Sequence, residues 1–477
     1  NRKYNPAGEY TDENNVVQYY DNESDNYNQN HYQLFYGLKL NNSLNLSTAF
    51  HYTSGEGYYE EFKEDRDLSD YGLPDIITGE SIISQSDLIR RKWMDNDFYG
   101  LVYSVKYKTD KLSATFGGGG NYYSGDHYGR IIWMSNPGNI PKDHQWYLNN
   151  GKKGEVSTYA KADYVLNEKL SLFADLQFRF IDYRMDGNDD DLKDLGQRHH
   201  YAFLNPKAGL FYSIDQNQDA YLSFSVANRE PTRADFKEAA GDPDAVPQPE
   251  TLYDTELGYK LRKERYSAAI NLYAMLYNDQ LVPTGELSST GYPIMTNVKK
   301  SRRLGIELSA GLRPADFFDW NLNLTLSSNK IPDFIEYYID YNTSDWSEEY
   351  RSMNLGTVDI AYSPSATGTS DLNFKILKNT ELHLISKYVG EQYFDNTMNS
   401  ERMIDPYFVN NLRIDFNPSI RGLKNAGFQL FINNILNHRY ESNAYGGNWF
   451  EDGVEKTWSY FFPQAGINFM VKAELAF

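Results

Sequence analysis

Three features of the 477-residue chain predict an all-β fold, specifically a transmembrane antiparallel up-and-down β-barrel. Apolar residues recur at every second position in segments of about ten residues, the length a tilted strand needs to cross a bilayer. Short, turn-rich connections alternate along the chain with long, irregular ones. The chain also closes on a strand that stops at an aromatic residue. Phe469, Val471, Ala473, Leu475 and Phe477 share one face of it, and Met470, Lys472, Glu474 and Ala476 share the other. A barrel shows such an apolar face to lipid and keeps the charged face toward a wet lumen.

Taken in order, residues 1–28 are polar and without a sustained period, and read as a loop. The alternation then starts and keeps returning. Leu44, Leu46, Thr48 and Phe50 alternate with Asn45, Ser47 and Ala49, and Leu112, Ala114 and Phe116 with Ser113 and Thr115. The same pattern runs through Leu170 to Phe180, Ala220 to Val226 and Ala268 to Leu276. In Trp320 to Ser327 one face is wholly apolar and the other wholly hydrogen-bonding. Short turns fall at 40–43, 108–111, 167–169, 215–219, 262–265, 313–316, 378–380 and 417–425. The largest long connections cover roughly 55–96, 124–155, 183–200, 229–250, 330–357, 390–405 and 441–458. Greek-key crossovers would not keep this short–long order, whereas a barrel with brief periplasmic turns and large outer loops does.

About seventeen strands follow from this reading. A periplasmic C-terminus makes the last strand run inward. With an odd count the first strand runs inward as well, which places residues 1–28 outside the cell. Single-chain bacterial barrels have an even number of strands and begin in the periplasm. Residues 1–477 are therefore expected to be the C-terminal portion of a larger barrel, with its first strands outside this chain.

Composition narrows the function classes. The chain has no cysteine, which removes disulfides, thiolate metal sites and cysteine nucleophiles. Mean hydropathy is −0.67 and no long apolar run occurs, which excludes a transmembrane helix but not a barrel. Tyr (41) and Phe (26) bring aromatics to 16%, as expected where rings form girdles at two interfaces. A net charge of −20 argues against nucleic acid, whose binding needs a basic footprint. Outer-membrane lipids are the expected surroundings.

No catalytic constellation stands out, and no enzyme or cofactor is expected. The eight histidines form no spaced metal set. His199-His200 could meet haem or a metal, or be two solvated polar residues. The run Asp186 to Asp194 imitates the first positions of a calcium loop, but Asp191 stands where the turn glycine belongs and Gln197 where the bidentate glutamate belongs. A solvated acidic loop is the alternative there. Gly117 to Gly120, with no following helix, mark a bend or a close approach of backbone. Tyr122, Tyr123, His127, Tyr128, Arg130 and Trp133 form the most ligand-like external cluster, although half of its rings could belong to a girdle. Arg229 and Arg233 flank Pro231 where a strand leaves the membrane, and strand parity puts Arg229 on the lumen side.

The stretch Asn433-Asn434-Ile435-Leu436-Asn437, with Tyr440 after it, resembles the penultimate-strand motif of TonB-dependent outer-membrane receptors. Tyr388 to Tyr393, Val226 to Phe236 and Tyr122 to Trp133 resemble barrel segments of such receptors from Bacteroidetes-type bacteria. The resemblance runs from Asn5-Pro6-Ala7-Gly8 to Phe477. It implies a plug domain, a short periplasmic motif read by TonB and a 22-stranded barrel. Neither plug nor motif is seen in this chain. It further implies uptake of a scarce small-molecule nutrient driven by the TonB complex, a ferric siderophore or similar metal chelate before haem, cobalamin or an oligosaccharide. A surface lipoprotein is a possible further partner. Within the whole receptor Arg229 and Arg233 would hold the plug or an anionic ligand. A passive porin and a surface adhesion barrel are the readings from other classes.

Overall fold

The computed structural model describes residues 8–12, 14–23, 25–239, 246–288 and 291–477. Asn5 to Ala7 of the family resemblance, and 240–245 of the long connection after Arg229, lie outside them. The wall begins with β1 (Asp25–Lys39), β2 (Leu44–Asp67), β3 (Gln85–Lys108), β4 (Leu112–Met134), β5 (His144–Val165) and β6 (Leu170–Gly187). It continues through β7 (Gln197–Asp215), β8 (Gln218–Arg229), β9 (Glu250–Arg262), β10 (Tyr266–Leu287), β11 (Pro293–Ala315) and β12 (Phe318–Tyr341). It ends with β13 (Glu348–Asp359, resuming at Ala366–Leu377), β14 (Thr380–Val389), β15 (Tyr407–Phe416), β16 (Asn425–Asn433, then Glu441–Glu451) and β17 (Val454–Pro463, then Asn468–Ala476). Three crossings are split, so the twenty segments of the barrel sheet make seventeen crossings, the number the alternation predicts.

Each crossing is antiparallel to the next, from Tyr32 opposite Tyr52 between β1 and β2 to Phe428 opposite Ala473 between β16 and β17. The strand order comes round on itself, bringing β17 beside β1. Because the count is odd, those two run the same way. Among the described residues no residue-by-residue register joins them, and both are exposed along nearly their whole length.

Burial along the strands is inverted relative to a soluble protein. On β6, Leu172, Leu176, Phe178 and Phe180 are exposed while Ser171, Asp175, Gln177 and Arg179 between them are half-buried. An apolar face turned outward and a polar face turned inward suits lipid outside and a wet lumen within. Between the sequential strands the backbone groups are satisfied by the ladders, as hydrocarbon requires. Tyrosines mark the two edges of the apolar band. Tyr32, Tyr52, Tyr99 and Tyr122 are successive cross-strand partners and form one row. Tyr107, Tyr164, Tyr212 and Tyr266 are exposed near the short-turn end. Tyr99 and Tyr107 share a strand eight residues apart, about 27 Å of strand and about 20 Å once tilted.

The strands outrun the expectation. Residues 55–67, 85–96, 124–134 and 144–155, read from sequence as loop, are ladder, so β2, β3 and β4 each reach 23 or 24 residues. Beyond the bilayer the outer face meets water, so the apolar–polar alternation disappears while the hydrogen-bonded ladder continues. The N-terminal stretch departs likewise: Glu9–Thr11 pairs with Val17–Tyr19, and β1 already starts at Asp25. The glycine run is a close approach: a Cβ on Gly117 would sit 2.7 Å from the Tyr159 ring and 2.8 Å from the Tyr103 carbonyl oxygen. Apolar side chains are buried mainly at the long-loop end, where Leu68, Leu88, Ile131 and Trp146 form one cluster and Ile181, Met185, Leu195 and Phe236 another.

Candidate ligand-binding site

At the long-loop end, a cavity of about 1340 Å³ lies against the extensions of β1 to β7. One helix closes its side. Pro231, which has no amide proton to continue the ladder, follows Arg229 and Glu230 at the end of β8. Thr232 then caps α1 (Arg233–Glu238), its side chain accepting from the Asp235 amide while the Asp235 carboxylate accepts from the Thr232 amide. Phe236 anchors the helix at 1% exposure, stacked on His199 at 4.0 Å and on Tyr183 at 5.9 Å.

Charge holds the other side of the helix. Lys237 Nζ lies 2.7 Å from Asp189 and 3.5 Å from Asp190, and Lys92 also bonds Asp190. Burial alone would lower the Lys237 ammonium, but Asp189 and Asp190 outweigh it and hold it above the ordinary lysine value. Burial would likewise raise Asp190, and Lys92 and Lys237 outweigh that and hold it below the usual carboxylate range. These bonds bear on two expectations. The 186–194 loop is solvated only in part: Asp189 is 4% exposed, whereas Asp191, Lys193 and Asp194 are exposed. It offers no calcium cage: Asp186 is bonded to Arg184 and Asp191 to Lys193, Asp194 accepts from the Gly196 amide, and among the described residues no group of three or more His, Cys, Asp or Glu could hold a metal ion. His199-His200 divides: His199 packs on Phe236, while His200 is exposed and lies 3.2 Å from Asp182.

The six-residue cluster of β4 divides by strand parity. Tyr123 and His127 face the cavity. Tyr122 lies on the opposite face, in the tyrosine row. Tyr128 and Arg130 share that outer face, the guanidinium 5.1 Å from the ring centre, with Tyr128 stacked on Trp93. Trp133 is exposed near the strand end. Arg229 and Arg233, distant from β4 in sequence, line the same cavity as Tyr123 and His127. Arg229 is bonded to Glu250 at 2.9 Å. Arg233 donates to the Asn149 side-chain oxygen at 2.5 Å, and Asn149 is fixed in turn by donating to the Asn188 carbonyl.

Sequence reasoning missed Lys92, Lys153, Tyr183 and Glu230. Lys153 bonds Glu230 at 2.6 Å, and Glu230 also takes Arg179 at 3.3 Å. Tyr183 was within reach of the parity count, since it follows Gln177 and Arg179 at even spacing on the lumen face of β6. Lys92 carried no signal, because it sits in an extension read as loop.

The family model for the TonB dependent receptor-like β-barrel matches residues 1–435. The chain belongs to this family. Its barrels are of the outer-membrane type, and no described helix is long and apolar enough to cross a membrane. Solved structures agree on the fold. The ferric-catecholate import receptor Fiu from E. coli K12 aligns with a TM-score of 0.62 at 13% identity, over 96% of this chain and 65% of its own. The siderophore receptor PiuA from Acinetobacter baumannii aligns at 0.63 and 13% identity, over 94% and 65%. The copper transporter OprC aligns at 0.65 and 12% identity, over 94% and 65%. This chain thus spans about 65% of the length of these structures. No curated protein matches it in sequence.

Proposed function

We propose that the chain is the C-terminal barrel portion of a receptor of the Bacteroidetes type. The receptor takes up a scarce nutrient across the outer membrane, driven by TonB, and the cargo is a ferric siderophore or similar metal chelate. The observation that carries this reading is the cavity of about 1340 Å³ in a barrel of this family, where rings, an imidazole and guanidinium groups converge at the long-loop end. That volume exceeds the usual small-molecule pocket of roughly 300–1,000 Å³ and suits a bulky chelate. In this reading the long loops face outward and the short turns and C-terminus face the periplasm. A plug and the first strands of a 22-stranded barrel complete the receptor at the seam between β17 and β1. The odd strand count, which makes β17 and β1 run the same way, supports that placement.

The test is genetic. Deleting the gene is expected to abolish growth on ferric chelates as sole iron source, and deleting TonB to abolish it while chelate binding to cells persists. Rescue by haem, cobalamin or an oligosaccharide instead would reassign the cargo. Uptake indifferent to TonB would point to a porin, and binding with no uptake at all to an adhesin.

A further inference from the structure

The cations lining the cavity are not equivalent. Lys92, Lys153, Lys237 and Arg229 each have a carboxylate partner, in Asp190, Glu230, Asp189 and Glu250 respectively. Arg233 has none among the described residues; its one partner is the neutral Asn149 amide. Its Nε–H is buried without a hydrogen-bond partner, and so is the hydroxyl of Tyr183. Both groups converge on one place: from the position a Cβ would take on Gly151, Arg233 Nε and the Tyr183 hydroxyl are each 3.8 Å away. Two buried donors left open beside one glycine are costly unless something accepts from them. Tyr123 and His127 line the same cavity.

We propose that Arg233 and Tyr183, above Gly151, form a subsite for one oxyanion of the cargo, and that the rest of the cargo meeting this cavity is uncharged. The inference rests on the uptake reading and deepens it. An accepting oxygen satisfies the Arg233 Nε–H and the Tyr183 O–H together, and the guanidinium supplies the compensating charge. Only one such group is matched, because the remaining cations are already neutralised. A second negative group would find no free cation there among the described residues, because Asp189, Asp190 and Glu230 already hold Lys237, Lys92 and Lys153, and its loss of hydration would go uncompensated. The cavity therefore selects against a chelate carrying several negative charges and for one with a single carboxylate or phenolate on a hydroxyl- or ring-rich body.

The experiment uses the receptor purified from its native outer membrane in detergent, with three aromatic probes followed by ligand-observed NMR: benzoate, benzamide and benzene-1,3,5-tricarboxylate. Benzoate is expected to bind about ten-fold or more tighter than benzamide, and the tricarboxylate no tighter than benzoate. Arg233→Gln is expected to weaken benzoate about ten-fold, and Tyr183→Phe about three- to ten-fold. Tyr183→Phe removes a hydroxyl with no partner in the protein, so it should leave thermal stability unchanged, which separates a binding role from a structural one. Equal binding of benzoate and benzamide would overturn the proposal. So would tighter binding of the tricarboxylate, unchanged affinity in Tyr183→Phe, or no benzoate binding at all. Because the assay needs no energy source, its failure leaves the TonB-dependence of uptake to be judged separately.

Discussion

Arg402 is the most enclosed charge described, 1% exposed among carboxylates from three separate long-loop segments. Asp395 lies at 2.7 Å, Glu455 at 2.9 Å and Glu336 at 3.8 Å. Removing one member of a buried ionic group strands the others. Arg402→Met is therefore expected to cost roughly 3–5 kcal/mol of local stability, read as faster amide exchange across 394–404 with the bilayer-crossing strands unchanged. The Lys237–Asp190 contact makes a second residue-scale prediction. Asp190 is held low, so its contribution is present above the ordinary carboxylate range and lost as pH falls through its folded value. Lys237 is held high, so its contribution is present below the ordinary lysine value and lost as pH rises through its folded value. Docking of α1 should thus hold from about pH 4 to about pH 10.5 and loosen outside that window. Asp190→Asn should weaken it by roughly 1–3 kcal/mol at neutral pH, since Lys237 and Lys92 lose the carboxylate they share. Limited proteolysis after Lys237 across a pH series checks both statements.

At the scale of the strand, the two faces of β6 must respond oppositely to charge. Leu176→Arg places a guanidinium on the apolar outer band and is expected to cost roughly 2–4 kcal/mol. Gln177→Arg faces the lumen, where it loses the hydrogen bond accepted from Asn205, and should cost about 1 kcal/mol. Folding titrations into lipid vesicles compare the two, and equal costs would contradict the assigned faces. This face assignment was legible in the sequence because lipid rewards it at every second residue. The strand ends were not legible. Past the tyrosine row no apolar solvent enforces a period, so Tyr58, Lys92 and Tyr147 looked like loop although the ladder continues through all three. The β4 cluster fails for a related reason. Tyr122 and Tyr123 are adjacent in sequence, yet one joins the girdle and the other the cavity, a distinction that parity gives only if the strand is known to persist that far.

For the whole molecule, the family and the barrel were readable from alternation, turn order and the Asn433–Tyr440 motif. The joining of Arg233 to Tyr183 and His127 was not, because it depends on α1 folding back over extensions of β4 and β6. Energy-driven import of a metal chelate is the function proposed for this barrel. Uptake of radio-iron, offered as a panel of ferric chelates to cells expressing the native receptor, with and without a protonophore, tests that claim most directly. A chelate with few negative charges is expected to accumulate, and its accumulation to stop when the proton gradient is collapsed, while binding at the cell surface remains. Accumulation that continues without the gradient, at a rate rising linearly with chelate concentration, would contradict it and mark the barrel as a passive pore.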